Sequence, residues 1–350
     1  MTSAATARSL VAKHGAGEGP AVTRSTFGPI TLSRTTRHAW LLIVGVALAA
    51  PAWTAADQEA HQAAITFDDF PGGEALACQV AICRRIANAL KAQGIPAVAF
   101  VNEGQLYRKG EVDSRIGILR DWLDAGLELG NHTFSHVGID SVSLPQYEED
   151  VIRGETVTRM LMAEKDRPLR YFRNTQLRTG PTTEYREGLG TFLRNRGYTV
   201  APVTVDTQDY MFAAVYADAK HRGDVALQGR VLDEYRAYVQ ENFSFHERLA
   251  VEVLGREVRH VVLLHVNHLN ADLIDELLAT LKKRNYSFMS LEEALQDPAY
   301  ARPEPTTRKG WSWIQRWILA EGGEARPEPR EPPWVTDAVG ALTARRRSDR

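Results

Sequence analysis

Residues 63–69 read Ala63-Ala64-Ile65-Thr66-Phe67-Asp68-Asp69, a β-rich run ending in two adjacent carboxylates with Pro71-Gly72-Gly73 close behind. β-branched and aromatic residues predict a strand over 63–67, and the proline-glycine cluster predicts where it stops. Neighbouring side chains of a strand face opposite ways, so both acids reach one site only if the chain leaves extended geometry there. Working outward, short β-rich runs alternate with longer helical patterns. Strands are expected at 97–101 (AVAFV), 127–131 (LELGN), 171–174 (YFRN), 199–205 (TVAPVTV), 260–266 (HVVLLHV) and 287–291 (SFMSL). Between them fall helical stretches: 83–90, closed by Gly94 and Pro96, then 116–125, 145–164, 183–196 and 271–284. The last places Leu273, Ile274, Leu277, Leu278 and Leu281 on one stripe, with Asn270 positioned to cap it. About fifty residues between Tyr210 and Arg259 read as helical throughout, too many for a crossover, so 211–259 is expected to be an inserted helical pair over one rim. Strands alternating with helices predict βα units around parallel strands, and seven strands predict an α/β barrel.

A chain of 350 residues fits one such barrel with attachments. Its 44% hydrophobic and 25% charged content excludes a mostly disordered chain, a collagen-like repeat and a polytopic membrane protein. A formal charge of −2 gives no basic excess for gripping phosphates, so no nucleic-acid partner is expected. The two cysteines, Cys78 and Cys83, exclude a disulfide-stapled scaffold. Within one helix they face different ways and cannot bond; a bond needs Cys78 in the preceding loop. Residues 40–50 (WLLIVGVALAA) follow Arg34, Arg37 and His38 and precede PAWTAADQ, the layout of a secretory signal with cleavage after Ala52 or Ala56. Export to the periplasm or medium is therefore expected, with an uncleaved anchor through 39–52 as the alternative; the apolar run is about half of what a spanning helix needs. Removing residues 1–56 takes away five Lys/Arg and Glu18, and the net charge moves from −2 to −6. The expected divisions are an N-terminal extension over 1–56, a catalytic domain over 57–297 and a C-terminal extension over 298–350. That extension holds seven of the sixteen prolines, four of the seven tryptophans and Arg345-Arg346-Arg347. Proline at this density predicts an extended wrap, broken by one short helix in WSWIQRWILAEGG with Trp313, Ile314 and Trp317 on a shared face.

Chemistry-bearing residues recur at the expected strand ends, where barrel loops build sites. Asp68 and Asp69 end the first. Asn131-His132-Thr133-Phe134-Ser135-His136 follows another, and two imidazoles at i and i+4 fall on one side of a helical turn, within reach of one cation. Neutral imidazole nitrogens suit zinc, and Asp69 supplies a plausible third ligand. Three protein ligands with an open position form the catalytic type of zinc site, where a bound water has a pKa of about 7. Arg173 sits in Tyr171-Phe172-Arg173-Asn174; Val205-Asp206-Thr207-Gln208-Asp209-Tyr210 and Leu263-Leu264-His265-Val266-Asn267-His268 complete the set. Taken singly, Asp68-Asp69 suits a solvated turn, His265 a core histidine and Arg173 a surface ion pair. Together, four strand ends agree on one face.

At these residues the chain resembles the polysaccharide deacetylase family, the NodB-homology domain or carbohydrate esterase family 4, from about Ala63 to Leu295. TFDD, NHTFSH, FRNTQLRTG, DTQDY and LLH look like its five ordered motifs. The resemblance implies a distorted (β/α)₇ barrel of TIM-like kind and a metal-dependent hydrolase that removes acetyl groups from amino sugars or O-acetylated glycans. By similarity Asp69, His132 and His136 hold the metal, zinc being expected; Asp68 is the general base and His265 the general acid. Arg173 then orients Asp68, Asp209 holds and charge-tunes His265, and Tyr210 takes the place of an aromatic pocket wall. The chain departs from the family at Phe70, where glycine is usual and a phenylalanine narrows the mouth, in the third motif, at Tyr210 and at Val266. The expected partner is an acetylated glycan. A glycan-binding module that keeps the fold without catalysis, and a metal hydrolase of another amide or ester, are the competing readings.

Overall fold

The first strand explains itself by burial: residues 63–68 are buried on both faces, as an almost continuously apolar run should be in a parallel sheet covered by helices. The computed structural model describes residues 60–348 together with Gly28. The expected signal segment over 40–56 lies outside the described residues. The strands are β1 (His61–Phe70), β2 (Ala97–Val101), β3 (Glu128–Asn131), β4 (Tyr171–Phe172), β5 (Thr199–Val200), β6 (Val205–Asp206), β7 (Arg259–His265) and β8 (Tyr286–Phe288). All pairings are parallel and the order is β5-β4-β3-β2-β1-β7-β6, with β8 joined to the start of β1. The fold is the expected (β/α)₇ arrangement, a curled parallel sheet that stays open, because β5 and β6 do not pair.

The helices are α1 (Leu76–Ala92), α2 (Val112–Asp124), α3 (Leu144–Arg153), α4 (Thr156–Ala163), α5 (Thr183–Asn195), α6 (Asp209–His221), α7 (Val225–Leu254), α8 (His268–Lys283), α9 (Leu291–Ala294), α10 (Trp313–Ala320) and α11 (Pro333–Ser348). The inserted pair is α6 and α7, which pack together, α6 against α8 and α11 and α7 against α10. Among the described residues no helix is long and apolar enough to cross a membrane.

Several expectations are corrected. The stretch 199–205 is not one strand: Ala201-Pro202-Val203-Thr204 separates β5 from β6, and a proline carries no donor for a ladder. The helix expected over 145–164 breaks at Gly154-Glu155, because Gly154 lies against the backbone of Thr133, where a Cβ would come within 2.4 Å. The cap of α8 is Asn267, whose side chain accepts from the Asn270 N–H. Cys78 and Cys83 both sit in α1 and are free thiols. The wrap expected after residue 298 contains the short helix α10 but ends in sixteen residues of helix, α11, with Pro333 in its first turn, where the missing N–H is no loss.

The open seam between β5 and β6 is filled from the C-terminal side. Trp313, Ile314, Trp317 and Ile318 of α10 cluster with Leu177, Val203, Leu249 and Leu263, and the Trp313 N–H donates to the Val203 carbonyl at 2.7 Å. The shared face expected of these tryptophans is therefore buried, where large aromatics contribute most.

Candidate active site

Register places the first two groups. β1 and β7 run parallel with Asp68 opposite His265, so both side chains leave the sheet at the same end. One residue later the ladder between β1 and β2 shifts and Asp69 adopts φ 59°, a left-handed backbone that an aspartate tolerates better than most residues. That break lets two consecutive acids serve one cleft.

The imidazoles arrive differently from the expected helical turn. Residues 132–136 form a loop in which Thr133 (φ 69°) and His136 (φ 55°) are both left-handed. Buried polar groups hold it: Asn131 Oδ1 accepts from Thr133 N at 2.7 Å, Asn102 Nδ2 donates to the His132 carbonyl, and Asp150 accepts from Ser135 N at 3.0 Å and Ser135 Oγ at 2.9 Å. The Arg173 carbonyl accepts from His132 Nδ1 at 2.8 Å; a carbonyl only accepts, so Nδ1 carries the proton and Nε2 presents its lone pair. Burial holds the His132 imidazole below its ordinary pKa, which keeps it neutral.

His132 Nε2 and His136 Nε2 lie 3.7 and 3.4 Å from Asp69 Oδ1. All three donor atoms fall within 4.8 Å of one another, and they are the only such group among the described residues. Asp69 Oδ1 is buried yet makes no hydrogen bond. Metal–ligand bonds of about 2.1 Å at tetrahedral angles put donors roughly 3.4 Å apart. The residues fit a divalent cation: one orphaned carboxylate oxygen and two imidazole nitrogens, at least one of them neutral and aimed inward.

Asp68, 3% exposed, lies beside this trio with Oδ2 3.8 Å from His132 Nε2. Its other oxygen accepts from Arg173 at 3.0 Å. Arg173 is fully buried, also donates to Thr66 Oγ1 at 3.1 Å, and stacks 4.3 Å from the Phe100 ring. Burial pushes the guanidinium below its ordinary pKa while Asp68 opposes the shift, a charge pair that neither partner leaves cheaply. Across the cleft, His265 Nδ1 donates to Asp209 Oδ1 at 2.7 Å. Asp209 Oδ2 accepts from His265 N at 2.9 Å, from Asn267 Nδ2 at 2.8 Å and from Asn270 Nδ2. Burial alone would raise the Asp209 carboxyl, but the His265 charge and these donors hold it below the usual range. Burial likewise works against charge on His265, and Asp209 overcomes it, lifting the imidazole to about 10. Tyr210, 51% exposed, meets the His265 ring edge-on at 6.0 Å.

These residues share one cleft of about 520 Å³, whose walls are completed by Gln176, Leu177, Arg178, Asp206, Gln208 and Gly310. Asp68, Asp69, His132, His136, His265 and Tyr210 all line it, and Arg173 and Asp209 stand directly behind.

The sequence profile of the polysaccharide deacetylase family matches residues 55–185. Over this stretch, a little more than a third of the chain, the protein is similar to the polysaccharide deacetylase family. The matched stretch carries Asp68, Asp69, His132, His136 and Arg173, whereas Asp209, Tyr210 and His265 lie beyond it. No curated protein matches the chain significantly in sequence. Solved structures that it resembles include a carbohydrate esterase family 4 pseudoenzyme from Bacillus anthracis, at 17% identity over 68% of this chain and 66% of that one, with a TM-score of 0.46. A family 4 carbohydrate esterase from Streptomyces lividans in complex with acetate gives 20%, 67%, 96% and 0.41 in the same order. A peptidoglycan deacetylase from Bacillus subtilis gives 20%, 67%, 92% and 0.42.

Phe70 does not narrow the mouth. It is fully buried, its ring 4.9 Å from that of Trp122, so it belongs to the core under the loop. Sequence reading missed three contributors. Asp150 fixes the histidine loop from fifteen residues away, Asp206 forms part of the wall with its carboxyl pushed by burial to about 6, and Gly310 reaches the cleft from the C-terminal extension. For Asp206 a signal existed, since two acids share DTQDY, but only burial separates their positions.

Proposed function

We propose that this protein is an exported, metal-dependent deacetylase of an acetylated glycan. The observation that carries the reading is the convergence in one cleft of an orphaned Asp69 oxygen and two imidazoles, flanked by Asp68 and His265 in direct register. Asp69, His132 and His136 would hold the cation; zinc suits two imidazoles and a carboxylate. When bound, a divalent ion supplies Lewis acidity and makes water nucleophilic near neutral pH.

The chain's own groups answer the remaining demands of amide hydrolysis. Asp68 Oδ1 is committed to Arg173, which leaves Oδ2 facing the cleft to take the proton of the attacking water. His265 keeps Nδ1–H on Asp209, so its Nε2–H is the one available to the departing nitrogen. The exposed face of Tyr210 offers a sugar ring a stacking surface beside the acid. An ester substrate makes the same use of the base and a weaker use of the acid, so N- and O-acetyl groups are both within its chemistry.

Acetate release from chitooligosaccharide, peptidoglycan and acetylated xylan tests this directly. Chelation is expected to stop release reversibly. Asp68→Asn is expected to lower turnover about 10²- to 10⁴-fold while bound metal survives; a fully active Asp68→Asn protein would overturn the assignment.

A further inference from the structure

The third wall of the cleft is built in an unfavourable way. Gln176 (φ 58°) and Leu177 (φ 52°) are consecutive left-handed residues, neither of them glycine, in the short turn Thr175–Leu177. Such a pair persists only where its surroundings over-determine it. Its surroundings here come from more than a hundred residues downstream. Gly310 lies so close to the Gln176 carbonyl that a Cβ would sit 2.5 Å from it. Thr179 N donates to the Thr307 carbonyl at 3.1 Å, and Thr307 N returns a bond to Thr179 Oγ1 at 2.7 Å. Arg316 is fully buried and donates to the Leu177 carbonyl, to the Trp311 carbonyl at 3.0 Å and to Glu304 Oε2 at 3.2 Å, with its guanidinium 3.7 Å above the Trp313 ring. A planar fork serves three separated acceptors at once, which the single ammonium of a lysine does not.

We infer that the segment from Glu304 to Ala320 is a working part of the site, in which Gly310 and Arg316 hold the Gln176–Leu177 turn and thereby shape the wall that receives the substrate. Arg316 is a positioning residue: it touches the turn, and the turn lines the cleft. Asp68, His265 and the Asp69–His132–His136 trio hang from β1, β7 and the loop after β3, so the segment governs substrate fit rather than proton transfer. This rests on the proposed deacetylase activity.

The test uses the full chain with Arg316→Lys and Gly310→Ala, the second changing only a contact. For each, KM and kcat for acetate release, bound metal, and amide hydrogen exchange at residues 177–179 are compared with the parent. Expected are a KM raised at least fivefold, a kcat within twofold, unchanged metal, and exchange at 177–179 accelerated at least tenfold in Arg316→Lys. Unchanged KM and unchanged exchange in both variants overturn the inference, as does a fall in kcat that tracks metal loss. If Arg316→Lys does not fold, Gly310→Ala decides through KM and exchange. If the parent releases no acetate from any glycan, the proposed activity fails on its own, and exchange at 177–179 then decides whether the segment holds the turn.

Discussion

Asp209 makes no contact with the cleft yet sets the behaviour of the group that does. With Asp209 ionised against it, His265 is lifted to about 10, so the protonated form is present below that value and is lost as pH rises through it. Asp209→Asn removes the charge and keeps the shape. The alkaline limb of kcat is expected to move down from near 10 toward the ordinary histidine value of about 6.5, and a pH–rate profile of the two proteins checks it. An unmoved limb would separate His265 from the proton delivered to the leaving group. Of the groups expected at strand ends, Asp68, Asp69, His132, His136, Asp206 and His265 line the cleft and Arg173 and Asp209 back it, whereas His268 opens α8 and does not line it. What TFDD did not announce is that Asp69 itself turns left-handed, because two acids in a row look the same whether they share a site or diverge.

At the level of elements, local patterning located strands and helices but not their interruptions. The break between α3 and α4 has a tertiary cause: Gly154 gives way to the Thr133 backbone. Filling that space is expected to push the histidine loop outward. Gly154→Ala should destabilise the fold by about 1–3 kcal/mol, as overpacking usually does, and weaken metal binding with it. Denaturant melts and metal titration of the same sample check both, and wild-type metal affinity would show that the loop is held from its other side. The division of 199–205 into β5 and β6 was partly legible, since Pro202 stood in the middle of the expected strand. Its consequence for the sheet was not, because nothing local says that the two halves belong on opposite sides of an unclosed seam.

For the molecule as a whole, the least legible part is the one that finishes it. Proline density past residue 298 correctly marked a change of style, and WSWIQRWILAEGG correctly marked a helix, but its role as filling for the seam depends on partners scattered over Leu177, Val203 and Leu263. Trp317 is 1% exposed among them. Trp317→Ala is expected to cost about 3–5 kcal/mol, read as a lower denaturation midpoint, with loss at the seam rather than at the trio; a midpoint unchanged from the parent would mean that α10 merely leans on a sheet already stable without it.

The seam also dictates a chronology. The strand that bears the paired acids precedes its partner β7 by about two hundred residues, and the plug that completes the enclosure follows later still. A chain synthesised only as far as β7 is therefore expected to leave Leu177, Val203, Leu249 and Leu263 without the apolar cover that α10 gives them.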